Sequence, residues 1–280
     1  MKVLVYGVGT MGRGIGQLFA QNNFEVLFYD ILAEYSNNAL KLLEKDFSRL
    51  VTKGKISEED KEKFLSNVKV IENLEDGKDV DLVVEAITEN VEVKKEVFRN
   101  LDEIINNDAI LASNTSSLSI TELALVTGRP ENVIGMHFFN PAPVMNLIEI
   151  INGYTTSAET TKKIEEISGL LGKNPVKVKE APGFVVNRML VPMINEAIVI
   201  LSEGVATAED IDTAMKFGAN HPIGPLALGD LIGLDVCLFI MDILHRELGL
   251  DKYAASPLLR KMVRANKLGR KTKEGFYKYS

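Results

Sequence analysis

The stretch KVLVYGVGTMGRGIGQLFAQNNFEVLFYD, residues 2 to 30, constrains this chain more than any other. A β-branched and apolar run leads into Gly7, Gly9 and Gly12 at the spacing G-x-G-x-x-G. A helix-like segment follows, and a second apolar run ends in Asp30. This order predicts a β-α-β unit built around a phosphate turn. Gly7 permits the tight turn, Gly9 removes a side chain where a pyrophosphate must approach, and Gly12 lets the helix pack closely on the strand. Thr10 and Met11 belong to the same turn, where the helix N-terminus would face the pyrophosphate. Asp30 would accept hydrogen bonds from a ribose hydroxyl and repel a 2′-phosphate, so the expected cofactor is NAD, with NADP disfavoured.

Beyond Asp30 the strand-helix alternation is interrupted by a helical excursion over residues 33 to 66, in which Ser57 and Asp60 form a capping signal for its second helix. Arg49, Lys53 and Lys55 cluster around Gly54 there, either as an ordinary solvated helix end or as a local anion site. DLVVEA is a buried parallel-type strand, followed by Glu89 and a helix carrying Lys94. AILASNTSS repeats that pattern and leaves Ser113, Asn114, Thr115, Ser116 and Ser117 at a strand's carboxyl end, where doubly wound sheets bind ligands. Such clusters also cap helices, and Ser117 or Ser119 is suited to that. NVIGMHF adds a strand, 158 to 172 a helix, and NPVKVKE a last strand. After Pro182 and Gly183 the alternation stops and every segment reads as helix, one of them kinked or divided at Pro192. Thr207 and Asp210 signal another helix start, and PLALGDLIGLDVCLFIMDILHREL reads as one long segment apolar on nearly every side. The expected fold is α/β: a Rossmann-type doubly wound sheet over residues 1 to 181, then an all-α domain over 182 to 280. The apolar segment points to a homodimer through that second domain.

The chemistry concentrates in NVIGMHFFNPAPVMNLIEI, residues 132 to 150. His137 ends one apolar run and Glu149 lies in the next, with Pro141 and Pro143 in the turn between them. An imidazole beside a carboxylate is a competent acid/base pair near neutral pH, although a strand-end histidine capped by an acid is the structural alternative. The remaining histidines, His221 and His245, read as surface or capping residues, and Cys237, alone in its apolar segment, as core. A net charge of −7 argues against nucleic acid and anionic membrane surfaces as partners. No apolar run is long enough to span a bilayer and no signal peptide is recognisable, so a cytoplasmic protein is expected. No metal is assigned.

Taken together, GVGTMGRGIG, ASNTSS, HFFNPAPVMNLIEI, EAPGFVVNR with Pro192 downstream, and the closing GRKTKEGFYKY resemble the 3-hydroxyacyl-CoA dehydrogenase family from Lys2 to Tyr279. The resemblance implies NAD-dependent interconversion of a 3-hydroxyacyl-CoA and a 3-oxoacyl-CoA, most similar to the short-chain, 3-hydroxybutyryl-CoA type. It implies that His137 is the acid/base, that Glu149 orients it, and that Ser116 and Asn187 hold substrate oxygens. It further places Glu89, Lys94 and Asn114 at the cofactor and one or more of Arg49, Lys53 and Lys55 on the CoA phosphate. Lys273, in TKEG, departs from the pattern, because a glycine usually follows that threonine. A 2-hydroxyacid or 3-hydroxyisobutyrate type dehydrogenase and a non-catalytic dinucleotide-binding protein are the alternatives, and the set Ser116, His137, Glu149 and Asn187 argues against both.

Overall fold

Val3, Leu4 and Val5 are fully buried in β1 (Lys2–Tyr6), the apolar run that opens the chain. A strand without polar alternation needs cover on both faces, and the fold supplies it. The computed structural model describes residues 1–280, which divide into two compact units, Met1–Glu180 and Ala181–Ser280.

In the first unit β1 leads into α1 (Thr10–Gln21), which buries Ile15, Leu18 and Phe19 at helical spacing. It is followed by β2 (Glu25–Tyr29), α2 (Ala33–Thr52), α3 (Glu58–Ser66), β3 (Val68–Val70), β4 (Leu82–Glu85), α4 (Val91–Ile104), β5 (Ile110–Ser113) and α5 (Ile120–Ala124). Then come β6 (Val133–Phe138), β7 (Leu147–Asn152), α6 (Ala158–Leu170) and β8 (Asn174–Lys179). The helical excursion is thus α2 and α3, and α3 begins with a capping box in which Ser57 and Asp60 satisfy each other's backbone amides. Ser119, not Ser117, caps α5.

The eight strands lie in the order β3-β2-β1-β4-β5-β6-β7-β8. Neighbours from β3 to β6 run parallel, β7 turns back against β6, and β8 runs parallel to β7. Chain order reverses between β1 and β4, so the crevice of this doubly wound sheet lies at the carboxyl ends of those strands. Pro175 is tolerated in β8 because that strand is the edge.

The second unit is helical: α7 (Val186–Ser202), α8 (Ala208–Gly218), α9 (Pro225–Ile232), α10 (Leu234–Leu248) and α11 (Pro257–Arg264). Its core joins Val191, Ile194 and Ile198 of α7 to Cys237, Met241 and Leu244 of α10 and Leu259 of α11. One of the two alternatives at Pro192 falls away, and one expectation needs correction. Pro192 does not divide α7, which is continuous around it, since the proline removes one amide and the packed face on either side holds the helix together. The long apolar segment is two helices, because Gly233 adopts φ 105°, a conformation no helix can contain. No helix is long and apolar enough to cross a membrane.

Candidate active site

The phosphate turn follows β1 directly. Gly7 sits at φ 88°, and its amide donates to the Tyr29 carbonyl at 2.8 Å, tying the turn to β2. A Cβ on Gly12 would fall 1.8 Å from the Gly7 oxygen, so only glycine lets α1 start this close to the turn. A Cβ on Gly9 would meet nothing within 4 Å. No side chain caps α1 at Gly9, which leaves the first-turn amides facing that open space. The Asp30 carboxylate accepts from the Val8 amide at 3.1 Å. A cavity of about 360 Å³ opens between Asp30, Tyr35, Ala86, Ile87 and Val93, and a second of about 360 Å³ lies toward Thr10, Arg13 and Asn38. Larger cavities, of about 440 and 450 Å³, lie beside Asp81 and Ile110 and beside Asp212 and Arg270. Neither touches an expected site residue, so volume is a poor guide here and donor chemistry a better one.

At the carboxyl ends of β4 and β5 a polar network is buried. Glu85, at 0 % exposure, accepts from Lys94 Nζ at 2.5 Å, from the Ile87 amide at 2.7 Å and from the Ser113 hydroxyl at 2.6 Å. Lys94 Nζ also lies 3.5 Å from Glu89 Oε2. Glu89 Oε1 accepts from the Thr115 hydroxyl at 2.6 Å, the Ser116 amide at 2.9 Å and the Ser116 and Ser117 hydroxyls at 3.2 Å each. Asn114 accepts from the Phe138 amide at 2.9 Å, joining this loop to the end of β6.

His137 and Glu149 face each other across β6 and β7 in direct antiparallel register. The Nδ1 to Oε2 distance is 2.8 Å, and the residues are 5 % and 1 % exposed. A carboxylate only accepts, so Nδ1 carries the proton. The Phe139 ring lies 4.5 Å from the imidazole. Val144 and Met145 amides close the intervening turn onto the Pro141 carbonyl, and the buried Lys173 ammonium donates to the Met145 carbonyl at 2.8 Å, its pKa lowered by burial.

Arg49, in the last turn of α2, and Lys53 and Lys55, between α2 and α3, are exposed and without ion-pair partners. Asn187 lies in the first turn of α7, in the second unit. His221 sits in a loop and His245 in the last turn of α10, 3.8 Å from Asp251. The Cys237 thiol is pushed up to about 12, chiefly by burial, which makes it an inert core group.

A model of the NAD binding domain of 3-hydroxyacyl-CoA dehydrogenase matches residues 2–181, and one of that enzyme's C-terminal domain matches residues 183–279. The chain belongs to the 3-hydroxyacyl-CoA dehydrogenase family. It is 56 % identical over 280 residues to a 3-hydroxybutyryl-CoA dehydrogenase of Clostridioides difficile, covering 100 % of both chains. The mitochondrial hydroxyacyl-coenzyme A dehydrogenase of Homo sapiens is 44 % identical over 285 residues, covering 99 % of this chain and 90 % of that one. The crystal structure of an (S)-3-hydroxybutyryl-CoA dehydrogenase from Ralstonia eutropha matches with a TM-score of 0.97 at 48 % identity, over 100 % of this chain and 99 % of that one.

Membership makes the chain an oxidoreductase with an NAD-binding domain, and the residues present fit that cofactor. Space is open at Gly9, α1 begins uncapped, and Asp30 stands at the end of β2. Sequence reasoning missed Glu85 and Lys173, and named Ser113 only as one of a polar cluster. A signal for the first existed: Lys94 falls on the stripe Lys94, Val97, Phe98, Leu101 that α4 turns inward, and a buried lysine requires an acid. The closing GRKTKEGFYKY is explained by Asp230, whose carboxylate accepts from the Phe276 and Tyr277 amides and the Tyr279 hydroxyl, folding this 3-hydroxyacyl-CoA dehydrogenase's tail onto α9.

Proposed function

We propose that this protein interconverts a short-chain 3-hydroxyacyl-CoA, 3-hydroxybutyryl-CoA, and the corresponding 3-oxoacyl-CoA, using NAD and a His137 and Glu149 acid-base pair. The observation that carries the reading is the buried 2.8 Å contact between His137 Nδ1 and Glu149, at the end of β6 next to the polar loop of β5. The relatives' names supply the substrate class.

When bound, the cofactor accepts or returns the hydride at the substrate's C3; the chain handles the proton. With Nδ1–H held by Glu149, the ring's Nε2 is the atom that exchanges a proton with the 3-hydroxyl. In oxidation Nε2 takes that proton and the ring becomes cationic, facing the carboxylate 2.8 Å away. In reduction the charged ring returns the proton to the developing alkoxide. The Ser116 hydroxyl and the Asn187 amide are proposed as donors to substrate oxygens. Gly7, Gly9, Thr10, Met11 and Gly12 are assigned to the pyrophosphate, Asp30 to the ribose with NAD preferred over NADP, and Glu89, Lys94 and Asn114 to the remainder of the cofactor. The exposed Arg49, Lys53 and Lys55 would meet the anionic end of CoA. Exposed Phe217, Leu231, Val236 and Phe239 in the second unit support a homodimer through it, which a monomeric mass in sedimentation would overturn.

The test is NADH oxidation with acetoacetyl-CoA. Turnover by the parent and a loss of about 10²- to 10⁴-fold in His137→Ala are expected. Absence of turnover in the parent, or equal turnover in the variant, rejects the reading.

A further inference from the structure

We propose that Glu85 is a positioning residue that sets the Ser116 hydroxyl for the substrate, acting through Lys94 and Glu89; this rests on the function proposed above. Glu85 ends β4 with both carboxylate oxygens engaged, one by Lys94 Nζ and the Ile87 amide, the other by the Ser113 hydroxyl. Two routes run from it to the loop after β5. The short one passes through Ser113, whose oxygen accepts the Thr115 amide at 3.2 Å. The longer one passes through Lys94, 1 % exposed, whose ammonium sits 2.5 Å from Glu85 and 3.5 Å from Glu89 Oε2.

Those two distances decide what Glu89 can do. Glu85 takes the nearer share of the ammonium, so Glu89 meets it with Oε2 alone and keeps Oε1 for the loop. That single oxygen is approached by four donors, and a carboxylate oxygen has about two lone-pair sites. The short contacts, from the Thr115 hydroxyl at 2.6 Å and the Ser116 amide at 2.9 Å, fill them. The Ser116 hydroxyl lies farther from that oxygen, at 3.2 Å. The Ser116 backbone is therefore anchored by Glu89, and with it the direction from which its hydroxyl meets a substrate oxygen. Without the Glu85 charge, a buried ammonium must find its whole partner in Glu89 and draws that carboxylate away from the Thr115 hydroxyl and the Ser116 amide. The backbone that aims Ser116 is then released.

The test is a double-mutant cycle on NADH oxidation with acetoacetyl-CoA, using Glu85→Gln, Ser116→Ala and both together. Glu85→Gln keeps the side chain's shape and removes its charge. Its kcat is expected to fall at least about tenfold, by more than KM changes, because a misdirected donor costs transition-state stabilisation. The decisive readout is coupling: in the Ser116→Ala background the Glu85 substitution should cost almost nothing further, since its effect runs through the missing hydroxyl. Losses that multiply, or a Glu85→Gln enzyme that turns over like the parent, overturn the assignment. If Glu85→Gln does not fold, Glu85→Asp keeps the charge but withdraws the carboxylate from Lys94 by one methylene, and the same cycle against Ser116→Ala is read by the same rule. A parent without acetoacetyl-CoA turnover rejects the proposed function itself; an active parent with multiplying losses rejects the role of Glu85 alone.

Discussion

Each unit of the protein buries carboxylates, and what faces them differs. In the first unit Glu149 meets the His137 imidazole at 2.8 Å and Glu85 meets the Lys94 ammonium at 2.5 Å. In the second, Asp212 accepts from the Leu226 amide at 2.8 Å, the Ala227 amide at 2.9 Å and the Tyr277 hydroxyl at 2.9 Å. Asp230 accepts from the Phe276 and Tyr277 amides at 3.0 Å each and from the Tyr279 hydroxyl at 2.9 Å. A backbone amide neither titrates nor moves apart from its chain, so an acid held by amides pins a segment in place. An imidazole can gain or lose a proton near neutral pH, so the acid facing one can take part in chemistry. Asp230 shows the pinning role in its surroundings: a Cβ on Gly275 would lie 1.9 Å from its carboxylate, and one on Gly269 would lie 2.3 Å from its carbonyl oxygen. The tail closes around this acid with no room for a side chain.

The sharpest way to break this contrast is to neutralise one acid of each kind. Glu149→Gln should cut kcat by about 100-fold or more, with far less effect on unfolding, because the amide cannot support a charged imidazole. If it unfolds the protein instead, the pair is structural and the contrast fails. Asp230→Ala should do the reverse. It strands the Phe276 and Tyr277 amides and should cost about 3 kcal/mol or more in denaturant titration, with kcat per folded molecule unchanged.

A smaller effect follows from pH. Tyr279 is pushed up to about 12, chiefly by burial and then by its hydrogen bond to Asp230, and Tyr277 is raised by burial and Asp212. The unfolded chain releases these protons near pH 10 while the folded chain keeps them. Their contribution is therefore intact below pH 10 and is lost as pH rises from 10 toward 12. Tyr6, raised to about 12 mainly by burial, adds to the same window in the first unit. Circular dichroism followed beside tyrosinate absorbance should show unfolding in that range, and Asp230→Ala should shift the Tyr279 titration downward. The smallest effect concerns Lys273, a non-glycine residue in the left-handed region at φ 61°. Lys273→Gly should raise stability by up to about 1 kcal/mol, and a loss would show that the lysine's own contacts outweigh its backbone strain.

Legibility from sequence followed the same division. The phosphate turn, the capping box at Ser57 and the cap at Thr207 were readable because each is complete within a few residues. The break at Gly233 was missed because apolar residues continue unchanged across it, and only the backbone angle records the end of one helix and the start of the next. Glu85 was passed over as the last letter of an apolar run, since its partners Lys94 and Ser113 lie nine and 28 residues away. Arg49, Lys53 and Lys55 were found as a cluster because they are close in sequence around the end of α2.

By itself the sequence determined the elements and their local chemistry: glycine spacing, helical stripes, caps, and an acid and a histidine each seated in an apolar run. These depend on periods of 2 and 3.6 residues, which belong to the chain. Only the tertiary structure decided which side chains meet. The twelve residues between His137 and Glu149 permit many separations, and a slip of one residue between β6 and β7 would turn Glu149 to the opposite face. The register that sets them opposite each other is held by Met136, Ile148 and Ile150 packing into the core on either side of the pair. That packing is a property of the whole sheet, which no single stretch of the chain contains.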